Sequence, residues 1–201
     1  MKKFDFNLTP WLTIFMSTVA LLTVQAGEKE KSKPDPVQQI MESYFAAGEM
    51  LAKDSFKGID KEMEKIVAAS EEILKTEASN SEEKEDYLAS VEAIHASARD
   101  FESQELKSSR ESYKSLSQAV TSYVKAYGYT DSAYSFYCPM VDQTWFQSSE
   151  KIANPFYGSE MLRCGKMTGM VKEGKYQEKT TEKKKEHKHE EGQHGNKGGC
   201  C

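Results

Sequence analysis

"YCPMVDQTWFQSSEKIANPFYGSEMLRCGKM", Tyr137 to Met167, is the stretch on which the reading of this chain turns. Two cysteines bracket it, Cys138 and Cys164, each with a methionine close by on its C-terminal side, Met140 and Met167. Inside it, Asn154-Pro155-Phe156-Tyr157-Gly158 is a turn signal, with Asn before Pro and Gly at the end. Ser148 to Lys151, ahead of Ile152, suits the start of a single helical turn. Just upstream, "TDSAYSFYCPM" (Thr130 to Met140) is rich in aromatic and small residues and suits an extended segment or short strand. Trp145, Phe146, Phe156 and Tyr157 are large enough to pack such a segment onto its neighbours. The expectation is an irregular, Cys-containing cap over residues 134–170, seated on one end of a helical body.

That body is read from the 3.6-residue period. Asp35-Pro36 supplies a cap and a first helical residue. Val37, Ile40, Met41, Tyr44, Met50 and Leu51 then line one face of a helix over about 36–55. Ile59, Met63, Ile66, Val67, Ile73 and Leu74 mark a second, over about 58–75. Asn80 and Glu83 have capping-box spacing and open a third. Its apolar positions are Tyr87, Val91, Ile94, Ala98 and Phe101, spaced as in a bundle seam. Leu106, Tyr113, Leu116, Val120, Val124 and Tyr127 mark a fourth, which stops at Gly128. The third and fourth patterns join near Ser103 without an obvious turn, so one long bent helix is the alternative. The expected fold is all-α: an up-down antiparallel bundle of about four helices with the irregular cap at residues 134–170.

The ends of the chain carry different signals. Lys2 and Lys3 precede an apolar run from Trp11 to Val24, and Val24-Gln25-Ala26 suits signal peptidase. Residues 1–26 are therefore expected to be a cleaved signal peptide, with 27–35 a short charged leader. The apolar run is shorter than the ~20 residues that span a bilayer. Residues 171–201 read as a disordered tail of Lys, Glu, His and Cys, which lacks the apolar area to offset the entropy of ordering. The expected location is secreted or periplasmic, with membrane contact only through an uncleaved signal. A net charge of -5 argues against a nucleic-acid binder.

Two chemistries compete for Cys138 and Cys164. Thiolate and thioether select soft ions, so Cys138 with Met140, and Cys164 with Met161 or Met167, suit Cu(I) or Ag(I) if the Asn154-Pro155 turn brings them together. An oxidising compartment equally allows a disulfide, and closing that loop is worth roughly 3 kcal/mol. In the tail, His187, His189, His194, Cys200 and Cys201 suit loose capture of Zn(II) or copper. His95, beside the third helix's stripe, reads as a core or boundary residue. The chain shows no Ser/His/Asp set, no HExxH and no Gly-rich phosphate loop, so no enzyme is expected. A helical body holding a small apolar ligand is a further alternative that only a pocket would raise.

The closing block also resembles a known family. Cys138-Pro139-Met140, Trp145, Ile152, Asn154-Pro155-Phe156-Tyr157-Gly158, Met161 and Cys164-Gly165 carry the likeness. Arg110, Tyr113 and Leu116-Ser117 extend it into the helices. The family resembled is an uncharacterised bacterial periplasmic helical domain, a domain of unknown function. It is found alone in exported proteins and appended to adaptor subunits of copper and silver efflux pumps. The resemblance spans about Val37 to Met167, and the tail stands outside it. It implies a context of metal stress in the periplasm. Together with the Cys/Met pairs and the His/Cys tail, the expectation is an exported, non-enzymatic protein that handles soft or transition metal ions, or assists a heavy-metal efflux adaptor or another periplasmic protein. Trp145, Asn154, Pro155, Tyr157 and Gly158 are expected to be structural, through aromatic packing and the Asn-Pro turn. The alternative is a disulfide-stapled periplasmic interaction module with no metal site.

Overall fold

A computed structural model describes residues 35–77 and 84–179. The expected signal peptide and leader (all but Asp35), the Asn80/Glu83 capping box and the expected tail beyond Lys179 lie outside them. The helices expected from the period are present: α1 (Pro36–Ala52), α2 (Ile59–Glu77), α3 (Glu85–Arg99) and α4 (Leu106–Tyr127). α1 begins as its sequence dictates, with Pro36 in the first turn and Asp35 Oδ2 accepting from the Gln38 amide at 3.4 Å. α3 and α4 are separate helices, divided by residues 100–105. Helix packing runs from each helix to the next, and α1 meets α4 only lightly.

The all-α expectation is overturned by the residues after Gly128. β1 (Ala133–Cys138), β2 (Gln143–Gln147), β3 (Lys166–Lys172) and β4 (Lys175–Glu178) form one antiparallel sheet in the order β2-β1-β3-β4. The fold is therefore mixed, helices plus a sheet, and not a bundle with an irregular cap. The extended reading of residues 130–140 becomes β1, whereas Ser148 to Lys151 is a bend and not a helical turn. Cys138-Pro139-Met140 leads into the β1–β2 hairpin turn, closed by Asp142 at φ 50°. Tyr137 Oη donates to Asp142 Oδ1 at 2.7 Å across it.

β3 and β4 also carry order past Met170, where the helical domain was expected to end. Their hairpin turns at Glu173-Gly174. β4 is an edge strand of Lys, Tyr, Gln and Glu, and charged edges are how sheets avoid pairing with other chains. Its composition matches a solvated tail for that reason. Tyr176 alone anchors it, with its ring 5.8 Å from Phe146 and 5.5 Å from the Lys125 ammonium on α4.

The sheet docks on the helices through α4, which lies against β2 and β4. Gly128 ends α4 at φ 79°, and a side chain there would collide with the Gly174 carbonyl, so the helix end abuts the β3–β4 turn. Trp145 and Phe146 are consecutive and both fully buried. Successive strand residues face opposite ways, so both faces of the sheet are covered there. The Phe146 side looks toward Tyr176 and α4. The Trp145 side is covered by Phe136 and by Phe156 from the loop after β2.

Candidate functional site

The closing block folds into a shell around Trp145, and each part has a local cause. Trp145 stacks on Phe136 at 5.4 Å and meets Phe156 edge-on at 5.7 Å. Its indole N–H donates to Gln147 Oε1 at 3.1 Å. Gln147 then shapes the following bend: its Nε2 donates to the carbonyls of Ser149 and Lys151, and its Oε1 also accepts from the Ala153 amide. One side chain thus templates residues 148–153.

Asn154 performs the same service for the next segment. It is fully buried. Its Nδ2 donates to the Cys164 carbonyl at 2.9 Å and its Oδ1 accepts from the Phe156 amide at 2.8 Å. Its own amide donates to the Leu162 carbonyl, and its carbonyl accepts from Gly158. Asn154 ties the start of the loop to its end, which places Cys164 beside β1.

The two sulfurs meet as a result. Cys138 Sγ and Cys164 Sγ stand 3.8 Å apart, with the residues 0% and 4% exposed. A disulfide needs about 2.05 Å, so the Cys138 thiol is unbridged in this structure. The two sulfurs are thus in contact, with Cys138 a free thiol and Cys164 disulfide-bonded.

The methionines separate into different surroundings. Met161 and Met167 are half-buried and pack against the core, and the Met161 carbonyl accepts from the Cys164 amide at 2.9 Å. Met140, at the hairpin turn, is 54% exposed. Among the described residues, no three His, Cys, Asp or Glu side chains gather as a metal-holding group. His187, His189, His194, Cys200 and Cys201 lie outside the described residues. His95 sits between α2 and α3, its nitrogens 3.7 Å from Glu71 and 3.8 Å from Glu92, as a boundary residue.

Two polar links that sequence reasoning did not assign join this shell to the helices. Arg110 on α4 donates to Asp54 Oδ1 at 2.6 Å, to the Leu51 carbonyl and to the Pro155 carbonyl. Asp54 also accepts from the Ser159 amide. Gly158, at φ 59°, passes so close that a side chain would strike both Asp54 and Arg110, which explains the Gly that closes the Asn-Pro-Phe-Tyr-Gly turn. The second link is Tyr44, whose hydroxyl donates to Ser117 Oγ at 3.0 Å and accepts from the Phe146 amide at 3.2 Å. Tyr113 stacks on Tyr44 at 5.1 Å, and its hydroxyl donates to the Tyr44 carbonyl. Burial pushes both tyrosine hydroxyls above their usual range, so they stay protonated donors. The Arg110, Tyr113 and Ser117 of the resemblance are thus the residues that grip the shell.

Hydrogen bonding from Ser159, then from Arg110, holds the Asp54 carboxyl below its ordinary value. A depressed carboxyl adds stability above its unfolded pKa of about 3.9 and loses it as pH falls through the lower folded value. Acid unfolding of the wild type should therefore steepen below about pH 4. Asp54→Asn, which tolerates the φ of 56° at this position, should flatten that limb while leaving the neutral-pH fold intact. Urea midpoints measured across the acid range check this; parallel curves for the two proteins would contradict it.

No protein-family model, no curated protein and no solved structure matches the chain.

Proposed function

We propose that this is an exported, non-enzymatic protein that, once the disulfide held by Cys164 is reduced, handles soft metal ions at the Cys138–Cys164 sulfur pair. The carrying observation is the 3.8 Å separation of two buried sulfurs from segments 26 positions apart. The donor set favours a soft monovalent ion such as Cu(I) or Ag(I). Zn(II) in structural sites takes four ligands, whereas two thiolates with thioether support suit the softer ions. Met161 and Met167, half-buried near the pair in sequence, are the candidate thioethers. Asn154 would hold Cys164 in place through its carbonyl, and burial would keep water from the sulfurs. The resemblance to a domain appended to efflux adaptors supports the same reading, with such an adaptor as the expected partner.

A second reading is supported by the burial itself. Sulfurs exposed 0% and 4% admit no ion without a local opening, whereas disulfide exchange onto Cys138 needs only their approach once the bond held by Cys164 opens. That reading is a stapled interaction module.

Chelator competition separates the two. Full-length protein, reduced and handled without oxygen, should take up Cu(I) or Ag(I) in competition with a chelator. A chain truncated after Lys179 should retain one ion. Cys138→Ser in the truncated chain should lose it. Equal uptake by the truncated chain with and without Cys138→Ser would sink the metal reading.

A further inference from the structure

Between α1 and the bend after β2 runs a pocket of about 280 Å³, lined by both Trp145 and Phe146. Phe45, Ala52, Trp145, Ile152, Pro155 and Leu162 supply its apolar walls. A cavity of about 150 Å³ holds a benzene-sized molecule, so this one takes roughly two rings or a short alkyl chain.

The pocket is built and not incidental to loose packing. Its outer wall is the 148–153 bend, held by the hydrogen bonds of Gln147 to Trp145, Ser149, Lys151 and Ala153. Its floor is set by Tyr113, whose hydroxyl lies so near Gly48 that a side chain there would collide with it. The polar atoms of these walls are already committed. The Tyr113 hydroxyl donates to the Tyr44 carbonyl, and the Trp145 N–H to Gln147. Neither Tyr113 nor Trp145 has a proton left to donate, and a ligand acceptor buried against them without a partner costs about 1–3 kcal/mol. The body of any occupant is therefore hydrocarbon.

The mouth is different. Glu49, Lys53 and Lys151 stand around it. Glu49 and Lys53 face each other at 3.4 Å. Lys151 has no ion-pair partner among the described residues, which leaves one cation at the opening. Leu162, 37% exposed, adds an apolar lip.

We infer that this pocket binds a small apolar monocarboxylate, an aromatic or short aliphatic acid, with its hydrocarbon against Trp145 and its carboxylate at Lys151. The site is independent of the sulfur pair, and metal uptake by Cys138 and Cys164 is not needed for it.

Trp145 reports on the site directly, because Trp11 is the only other tryptophan. Full-length protein carrying Trp11→Phe is titrated with 2-naphthoate and, separately, with uncharged 2-naphthylmethanol, following tryptophan fluorescence. Naphthoate should saturate below about 1 mM and bind tighter than the alcohol by about three- to five-fold, the scale of one exposed charge pair. Lys151→Glu lies on an exposed bend and should fold normally. It should abolish the preference for the acid while leaving the alcohol unchanged. Failure of naphthoate to saturate, equal affinity for acid and alcohol, or a preference that survives Lys151→Glu would each overturn the inference.

Discussion

Trp145→Ala should lower the stability of this protein by about 3–5 kcal/mol, the usual scale for deleting a fully buried aromatic. The residue is 1% exposed and touches two rings, Phe136 in β1 and Phe156 in the loop. Its loss leaves a cavity between sheet and loop, and neither side collapses easily. The sheet is fixed by its ladder, and the loop by Asn154. The truncation also removes the indole donor from Gln147. Against a typical stability of about 5–15 kcal/mol, this is a large fraction. Urea unfolding followed by far-UV circular dichroism should show a lower midpoint with an unchanged slope. A change below about 1 kcal/mol would show that Trp145 is not the centre of the shell.

Asn154→Ala should cost about 2–5 kcal/mol, since it strands two buried backbone groups, the Phe156 amide and the Cys164 carbonyl. Asn154→Asp separates packing from hydrogen bonding. It keeps the acceptor for Phe156, loses the donor to Cys164 and places a carboxylate where exposure is zero. Burial raises the pKa of such a group. The variant should therefore be least stable at neutral pH and recover relative to wild type as the pH falls through its raised value. A pH-independent difference between Asn154→Asp and wild type would contradict the assignment of Asn154 as a buried, neutral donor and acceptor.

The helices were legible because each presents a long amphipathic period with physical end signals. Asp35-Pro36 opens α1, and Gly128 closes α4, as their sequence chemistry requires. The sheet was not legible for two opposite reasons. β2 is covered on both faces at Trp145 and Phe146, so the alternation that marks a half-buried strand disappears. β4 is an exposed edge held by one tyrosine, so its composition is that of a solvated tail. β3 is only partly buried and carries Gly169 in its middle, which weakens its signal further.

Within the candidate site, sequence spacing singled out Cys138 and Cys164, and the fold brings them to 3.8 Å. Met140 did not follow. The Cys-Pro-Met run is a hairpin corner, and the residue after the proline points outward at 54% exposure. The Arg110–Asp54 link was hidden because its partners are 56 positions apart and neither sits in a local pattern. Gln147 was hidden because a side chain that templates a bend has no compositional signature. Asn154 was visible as a turn residue, but its bond to Cys164 depends on the loop returning to β1.

The central proposal is that Cys138 and Cys164, once the Cys164 disulfide is reduced, act as one two-sulfur site. Native intact-mass measurement of full-length Cys200→Ser/Cys201→Ser protein, prepared reduced and mixed with Cu(I), tests it most directly, because the pair is then the only cysteine in the chain. The account predicts one bound copper per chain, lost on adding Cys138→Ser. No copper taken up, or copper uptake that survives Cys138→Ser, would contradict it and leave Cys138 a structural residue.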